Sequence, residues 1–220
     1  GGRVPVLVLG GRARGGGARV WRSDLVPAHA PGGCGWRDLH GDTQIVSADG
    51  VAVVGPVGRV GLLGVGTLGA IFADRLLDAG VKLALFDLDE RRVTPFIGRG
   101  ARAATSAIDL VHDIDIVLVS LPDPAATNRA VLGQAGVLAA CNPSALIVDT
   151  STIDPTTARA VAREASARGV DYVEAPLSGG DEEGSGVDAA RAGATTFICG
   201  GTESAVDRAR PLLNVLGRHV

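Results

Sequence analysis

Three groups of residues in this chain have the types and spacing to do chemistry. Gly64-Val65-Gly66-Thr67-Leu68-Gly69 spells a GxGxxG turn, Asp87 ends the apolar run that follows it, and Ser178-Gly179-Gly180 closes the segment EAPLSGG. In the first, Gly64 would allow a sharp turn, Gly66 would admit a pyrophosphate with no Cβ in the way, and Gly69 would let a helix pack close to a sheet. Free amides at the start of that helix would then face the phosphate charge. Asp87 would accept hydrogen bonds from both ribose hydroxyls of an adenosine and repel a 2′-phosphate, which selects NAD and places NADP second. Arg91 and Arg92 could receive such a phosphate, but as neighbours on a polar stretch they read first as solvated helix residues. The amides of Ser178, Gly179 and Gly180 would form an anion-binding concavity, yet Asp181, Glu182 and Glu183 come straight after.

The surrounding pattern supplies the elements that must hold these groups. RVGLL is a short apolar strand, GVGTLGAIFADRLLDAG carries apolar residues at helical spacing and ends at Gly80, and VKLALFD is a second strand. Strand, glycine turn, helix, strand and acidic residue is the order a dinucleotide-binding βαβ unit requires. DIDIVLVSLPDP opens into a loop at Ser120 and SALIVDTSTIDP at Thr150, with a helix expected over about Pro155–Arg168; VDYVEAPLSGG is a further strand. Their loops leave from carboxyl ends, the side on which open α/β sheets bind ligands. The expected fold is α/β: a Rossmann-type doubly wound parallel sheet of order 3-2-1-4-5-6, with extra strands near Thr195 and the C-terminus.

Composition agrees. With 46% hydrophobic but only 3% aromatic residues, the core must be built from Val, Leu, Ile and Ala, the usual filling of a sheet covered on both faces. A net charge of -3 gives no basic field for nucleic acid or an anionic membrane, and neither partner is expected. No apolar run reaches the length of a membrane span, and Cys34, Cys141 and Cys199 sit in no metal-ligand spacing, so a reduced, cytoplasmic setting is expected. Residues 1–58, with 14 glycines and an arginine-rich stretch, lack any period and read as a poorly ordered leader with little regular structure; residues 59–220 read as the dinucleotide-binding domain. His29, Cys34 and His40 in the leader fit no standard metal site, and no metal is expected. The chain has no methionine, not even at its start, and is expected to be part of a longer protein.

GLLGVGTLG, VSLP, DTSTIDP, EAPLSGG and FICGG, in this order and spacing, resemble the N-terminal domain of the β-hydroxyacid dehydrogenases, which include 3-hydroxyisobutyrate dehydrogenase, tartronate semialdehyde reductase and 6-phosphogluconate dehydrogenase. The resemblance implies that Gly64, Gly66, Thr67, Leu68 and Gly69 cradle the pyrophosphate, Leu68 standing where methionine is common. It implies that Leu121, Pro122 and Thr152 line the ribose and nicotinamide side, although Thr152 could instead cap the helix near Pro155. Ser178, Gly179 and Gly180 would bind the carboxylate and hydroxyl of a small substrate. The family takes the hydroxyl proton with a lysine in a C-terminal helical domain, through which it also homo-oligomerises; neither lysine nor domain is seen here. Lys82 opens a strand on the wrong edge, His112 precedes a strand, and His219 is expected to be frayed. The implied activity is hydride transfer between NAD and a β-hydroxyacid, this chain alone being inactive. A non-catalytic NAD-binding module and a truncated imine reductase of the same superfamily are the alternatives. DEEGSG, residues 181–186, reads as an insertion between SGG and VDAARAG that carries its carboxylates into water.

Overall fold

The apolar runs become central strands. The computed structural model describes residues 57–178 and 185–220, together with four two-residue strands nearer the N-terminus. Residues 57–220 run β1 (Val60–Leu63), α1 (Thr67–Asp78), β2 (Leu83–Phe86), α2 (Thr94–Ile97), β3 (Arg102–Ala103), α3 (Ala107–Leu110), β4 (Ile116–Val119), α4 (Pro124–Thr127), β5 (Leu146–Asp149), α5 (Pro155–Ser166) and β6 (Asp171–Glu174). They continue through β7 (Leu177–Ser178), α6 (Gly186–Ala192), β8 (Thr196–Phe197) and α7 (Glu203–Leu216). Strands β3-β2-β1-β4-β5-β6 form one six-stranded sheet in which every pair is parallel, the order expected. β1, β4 and β5 are buried along their whole length, because a central parallel strand meets helices on both faces.

Side chains alternate across those strands. Leu63, Val117, Val119 and Ile147 join Leu110, Val161 and Ala165 in one core layer against α3 and α5. The intervening Leu62, Leu85 and Leu118 face the other way, where α1 packs on β1 and on α7. Arg75 of α1 donates to the Val215 carbonyl at 3.0 Å, and Phe72 meets Phe197 with ring centroids 6.3 Å apart, tying helix α1 to both α7 and β8.

The extra strands form a separate ribbon: β7 pairs antiparallel with β8, and Thr196 bridges His219. His219 is therefore not frayed. Its carbonyl accepts from the Phe197 amide at 2.8 Å, and Arg218 donates to the Thr195 carbonyl at 2.8 Å, so the last turn is fastened by main-chain bonds. Helix α5 ends at Ser166, close to the expected Arg168, and is capped at its start by Asp154, whose side chain accepts from the amides of Thr156 and Thr157 at 2.9 and 3.0 Å. Asp154, not Thr152, is the cap. An aspartate directly before the proline is better placed, since it leaves the first turn to a residue with no N–H to satisfy.

Residues 1–56 make up a second unit. Within it Val8–Leu9 pairs antiparallel with Val20–Trp21, and Ile45–Val46 with Ala52–Val53. The expectation of little regular structure in the leader otherwise falls outside the described residues, as do His29, Cys34 and His40.

Leu118 is wholly buried at the centre of the sheet, whereas Leu88 is 94% exposed. L118A is expected to lower unfolding free energy by about 3–5 kcal/mol, and L88A to change it by less than about 0.5 kcal/mol. Urea denaturation at fixed slope measures both; equal effects would contradict this assignment of the core.

Candidate functional site

Strand register brings the loops to one line. Phe86, Leu63, Val119, Asp149 and Glu174 stand side by side at the carboxyl ends of β2, β1, β4, β5 and β6. The next residue of four strands continues the ladder: Gly64 donates to the Phe86 carbonyl, Ser120 to Leu63, Thr150 to Val119 and Ala175 to Asp149, at 2.7 to 3.0 Å. The loops that follow leave from a single edge.

On this edge the glycine turn has the shape of a phosphate cradle. Gly64 lies at φ +96°, and a Cβ there would run into the Ser120 carbonyl oxygen. Gly69 is pressed against the Gly64 carbonyl in the same way, which fixes where α1 starts. At Gly66 the space is open: a Cβ would meet nothing nearer than Arg92 Nη1, 3.8 Å away. Helix α1 has no side-chain cap and no acidic residue in its first turn, whereas α3, α4, α5, α6 and α7 are capped by Ser106, Asp123, Asp154, Ser185 and Thr202. Like α2, α1 therefore starts without a side-chain partner for its first amides, at the positive end of the helix. Thr67 is exposed and Leu68 half-buried beside it.

Asp87 has a role beyond the expected one. Its Oδ2 accepts from the Val65 amide at 2.8 Å and its Oδ1 from the Asp89 amide at 2.9 Å, so it braces the turn from the β2 side. A carboxylate oxygen has two lone pairs, and one on each remains for a ribose hydroxyl. Arg92, with its side chain 53% exposed, stands near both carboxylates: Nη1 is 3.6 Å from Asp87 Oδ2 and Nε 3.8 Å from Asp89 Oδ2. Arg91 pairs with Asp89 at 2.8 Å and points to solvent.

The remaining residues divide. Leu121, half-buried, and the exposed Pro122 and Thr152 lie on the loops after β4 and β5, beside the glycine turn's edge. Ser178 is exposed on the β7–β8 ribbon, opposite Thr196, rather than on the main sheet. Gly179, Gly180 and the carboxylates of Asp181, Glu182 and Glu183 lie outside the described residues. At the end of the segment read as an insertion, residues 181–186, the chain is already ordered: Ser185 caps α6 in a reciprocal box with Asp188, and Gly186 is that helix's first residue. Lys82 and His112 precede β2 and β4 and stand at the opposite, amino edge.

Sequence reasoning missed a polar seam between the β4 and β5 loops. Thr150 Oγ1 donates to the Val119 carbonyl at 2.7 Å, Ser151 Oγ accepts from the Leu121 amide at 2.9 Å, and the Ser151 amide donates to Asp149 Oδ1 at 2.9 Å. Asp149 is 1% exposed. Burial pushes its carboxyl above the usual range, against bonds from Ser151 and Tyr172 that pull it down, while neighbouring Glu174 adds to the rise. A charged residue ending the apolar run SALIVD was the available signal. Burial likewise pushes the Cys141 thiol up to about 11, which removes it as a nucleophile at neutral pH.

A parallel sheet with an open, uncapped helix end at its carboxyl edge and an acidic residue closing the second strand defines a dinucleotide-binding domain. The sequence matches the profile of the NAD binding domain of 6-phosphogluconate dehydrogenase over residues 59–220, and the chain belongs to that family. It is 38% identical over 161 residues to 3-hydroxyisobutyrate dehydrogenase of Pseudomonas aeruginosa, covering 73% of this chain and 52% of that protein. It is also 38% identical over 162 residues to the NAD-dependent L-serine dehydrogenase of the same organism, covering 74% and 52%. The structure of Mycobacterium tuberculosis 3-hydroxyisobutyrate dehydrogenase with L-serine aligns with a TM-score of 0.67 at 32% identity, over 75% of this chain and 54% of that one. The chain spans about half the length of the curated relatives it matches.

The raised Asp149 carboxyl has a consequence for stability. Its contribution is full below the unfolded-state value of about 3.9 and is lost as pH rises through the higher folded-state value. Asn keeps the oxygen that accepts from Ser151 but cannot ionise. The stability of D149N relative to wild type is therefore expected to increase between about pH 4 and about pH 7. Urea midpoints of both proteins at the two pH values test this; a difference independent of pH would contradict it.

Proposed function

We propose that this chain is the NAD-binding portion of an oxidoreductase that transfers a hydride between NAD and a small β-hydroxyacid of the 3-hydroxyisobutyrate kind. The observation that carries the reading is the open cradle at Gly66 on the uncapped start of α1, with Asp87 closing one side. Gly64, Gly66, Thr67, Leu68 and Gly69 hold the pyrophosphate, and Asp87 receives the adenosine ribose through its unused lone pairs. Leu121, Pro122 and Thr152 line the second ribose and the nicotinamide. Ser178, Gly179 and Gly180 take the substrate carboxylate and hydroxyl by a side-chain hydroxyl and main-chain amides. The nicotinamide supplies the hydride acceptor for alcohol oxidation. NAD is favoured over NADP because Asp87, held by the Val65 and Asp89 amides, would repel a 2′-phosphate, although Arg92 Nη1 lies 3.6 Å from its Oδ2.

Alcohol oxidation also needs a group to take the hydroxyl proton. With Lys82 and His112 at the amino edge, the site residues named above bind and orient but include no such base. The partners we assign are a small carboxylate and, through a helical domain of the family's kind, a second copy of the protein; nucleic acid and membrane are not among them. No helix among the described residues is long and apolar enough to cross a membrane, and Cys141 and Cys199 are free thiols, which suits a cytoplasmic setting.

The 220-residue chain is expected to bind NADH more tightly than NADPH and to show negligible turnover of 3-hydroxyisobutyrate. G66V, which fills the cradle, should weaken NADH by more than about tenfold with an unchanged melting temperature. Fluorescence titration and a turnover assay check these outcomes. Unaltered NADH affinity in G66V would refute the binding site, tighter NADPH binding the cofactor choice, and robust turnover the assignment of this portion as non-catalytic alone.

A further inference from the structure

The loop after β4 has few handles by which the protein can hold it. Ser120 donates to the Leu63 carbonyl at 3.0 Å and so belongs to the sheet. Pro122 has no N–H, and Asp123 turns its carboxylate to the Ala126 amide as the cap of α4. The Leu121 amide is the donor in between, and it goes to Ser151 Oγ at 2.9 Å, across 30 residues of sequence. Ser151 is itself fixed: it is 4% exposed, its amide is bound to Asp149 Oδ1 at 2.9 Å, and Thr150 beside it grips the Val119 carbonyl twice, at 2.9 and 2.7 Å.

What Ser151 holds also faces the glycine turn. A Cβ on Gly64 would come within 3.0 Å of Leu121 Cδ2, so the Leu121 side chain stands directly against the cradle. Ser151 is buried, whereas Leu121 is half-buried and Pro122 exposed. Its hydroxyl bonds the Leu121 amide and its own amide bonds Asp149, so it acts on the turn through Leu121.

We infer that Ser151 is a positioning residue for the nicotinamide half of the cofactor: its buried hydroxyl latches the Leu121 amide and so presets the Leu121–Pro122 wall against the glycine turn. The inference rests on the cofactor reading proposed above and deepens it. Without the latch, the Leu121 amide loses its acceptor and the wall gains freedom that binding must then remove. The adenosine and pyrophosphate end, held by Asp87 and the start of α1, keeps its geometry.

The test compares NADH with ADP, which carries the adenosine and pyrophosphate but neither second ribose nor nicotinamide. S151A is expected to raise the Kd of NADH by about fivefold and to leave that of ADP within about twofold. Amide hydrogen exchange at Leu121 should become faster in the same variant, with Val65 unchanged. S151C, nearly the same size with a poor acceptor, should behave alike and serves if S151A does not fold. Equal loss of both ligands would show a merely structural role and overturn the inference, as would two unchanged affinities or unchanged exchange at Leu121. If the wild-type chain binds neither NADH nor ADP, the cofactor reading itself falls and takes the latch's purpose with it. NADH binding by wild type with no NADH/ADP split in the variants sinks the latch alone.

Discussion

Between β1 and β4 the main chain at Gly64 passes so close to the Ser120 carbonyl that no side chain fits, and the carboxyl edge is organised around that approach. It requires a left-handed φ at Gly64, and it brings the first residues of two loops into van der Waals contact before any ligand arrives. Gly69 against the Gly64 carbonyl then sets the start of α1, and Asp87 reaches across from β2 to bind the Val65 amide. The cradle is fixed from β4, from α1 and from β2. A site held on three sides loses little freedom when a ligand enters, which is where preorganised binding gains over a flexible glycine loop.

Charge is distributed along the same edge in two parts. Near Gly66 the uncapped helix end is positive, with Arg92 a few ångströms away; near β5 and β6 stand the buried Asp149 and its neighbour Glu174. The first part is where the proposed cofactor's pyrophosphate would lie. In the second, Asp149 is buried: it spends an oxygen on the Ser151 amide and meets the Tyr172 hydroxyl at 3.5 Å, and so helps to shape the loops, while Glu174 is half-buried. Ser178 stands apart from both on its own ribbon, fastened through β8 to the last residues of the chain.

The sheet order and the glycine turn were legible in the sequence because each rests on local pattern. Strand runs of four apolar residues, glycine at three fixed positions and an aspartate closing β2 all fall within one βαβ span. The seam from Asp149 through Ser151 to Leu121 was not legible, since a hydroxyl meeting an amide 30 residues away leaves no periodic trace. The fastening of His219 was hidden for the same reason, its partners lying near Thr195. Ser185 is a different case: its capping box with Asp188 was written in S-x-x-D, but the glycines on both sides made it read as part of a bulge. Thr152 was the cap the sequence suggested, but Asp154, directly before the proline at the first helical position, takes that place.

The central claim is that a dinucleotide binds with its pyrophosphate on the amides at Gly66–Gly69. Backbone amide NMR of the isotope-labelled chain during titration with NADH reads those amides directly. The account predicts saturable shifts concentrated at Gly66, Thr67, Leu68 and Gly69, spreading to Leu121 and Thr152, with the amino edge near Lys82 unmoved. Saturable binding that leaves the Gly66–Gly69 amides in place, or no binding at all, would contradict it.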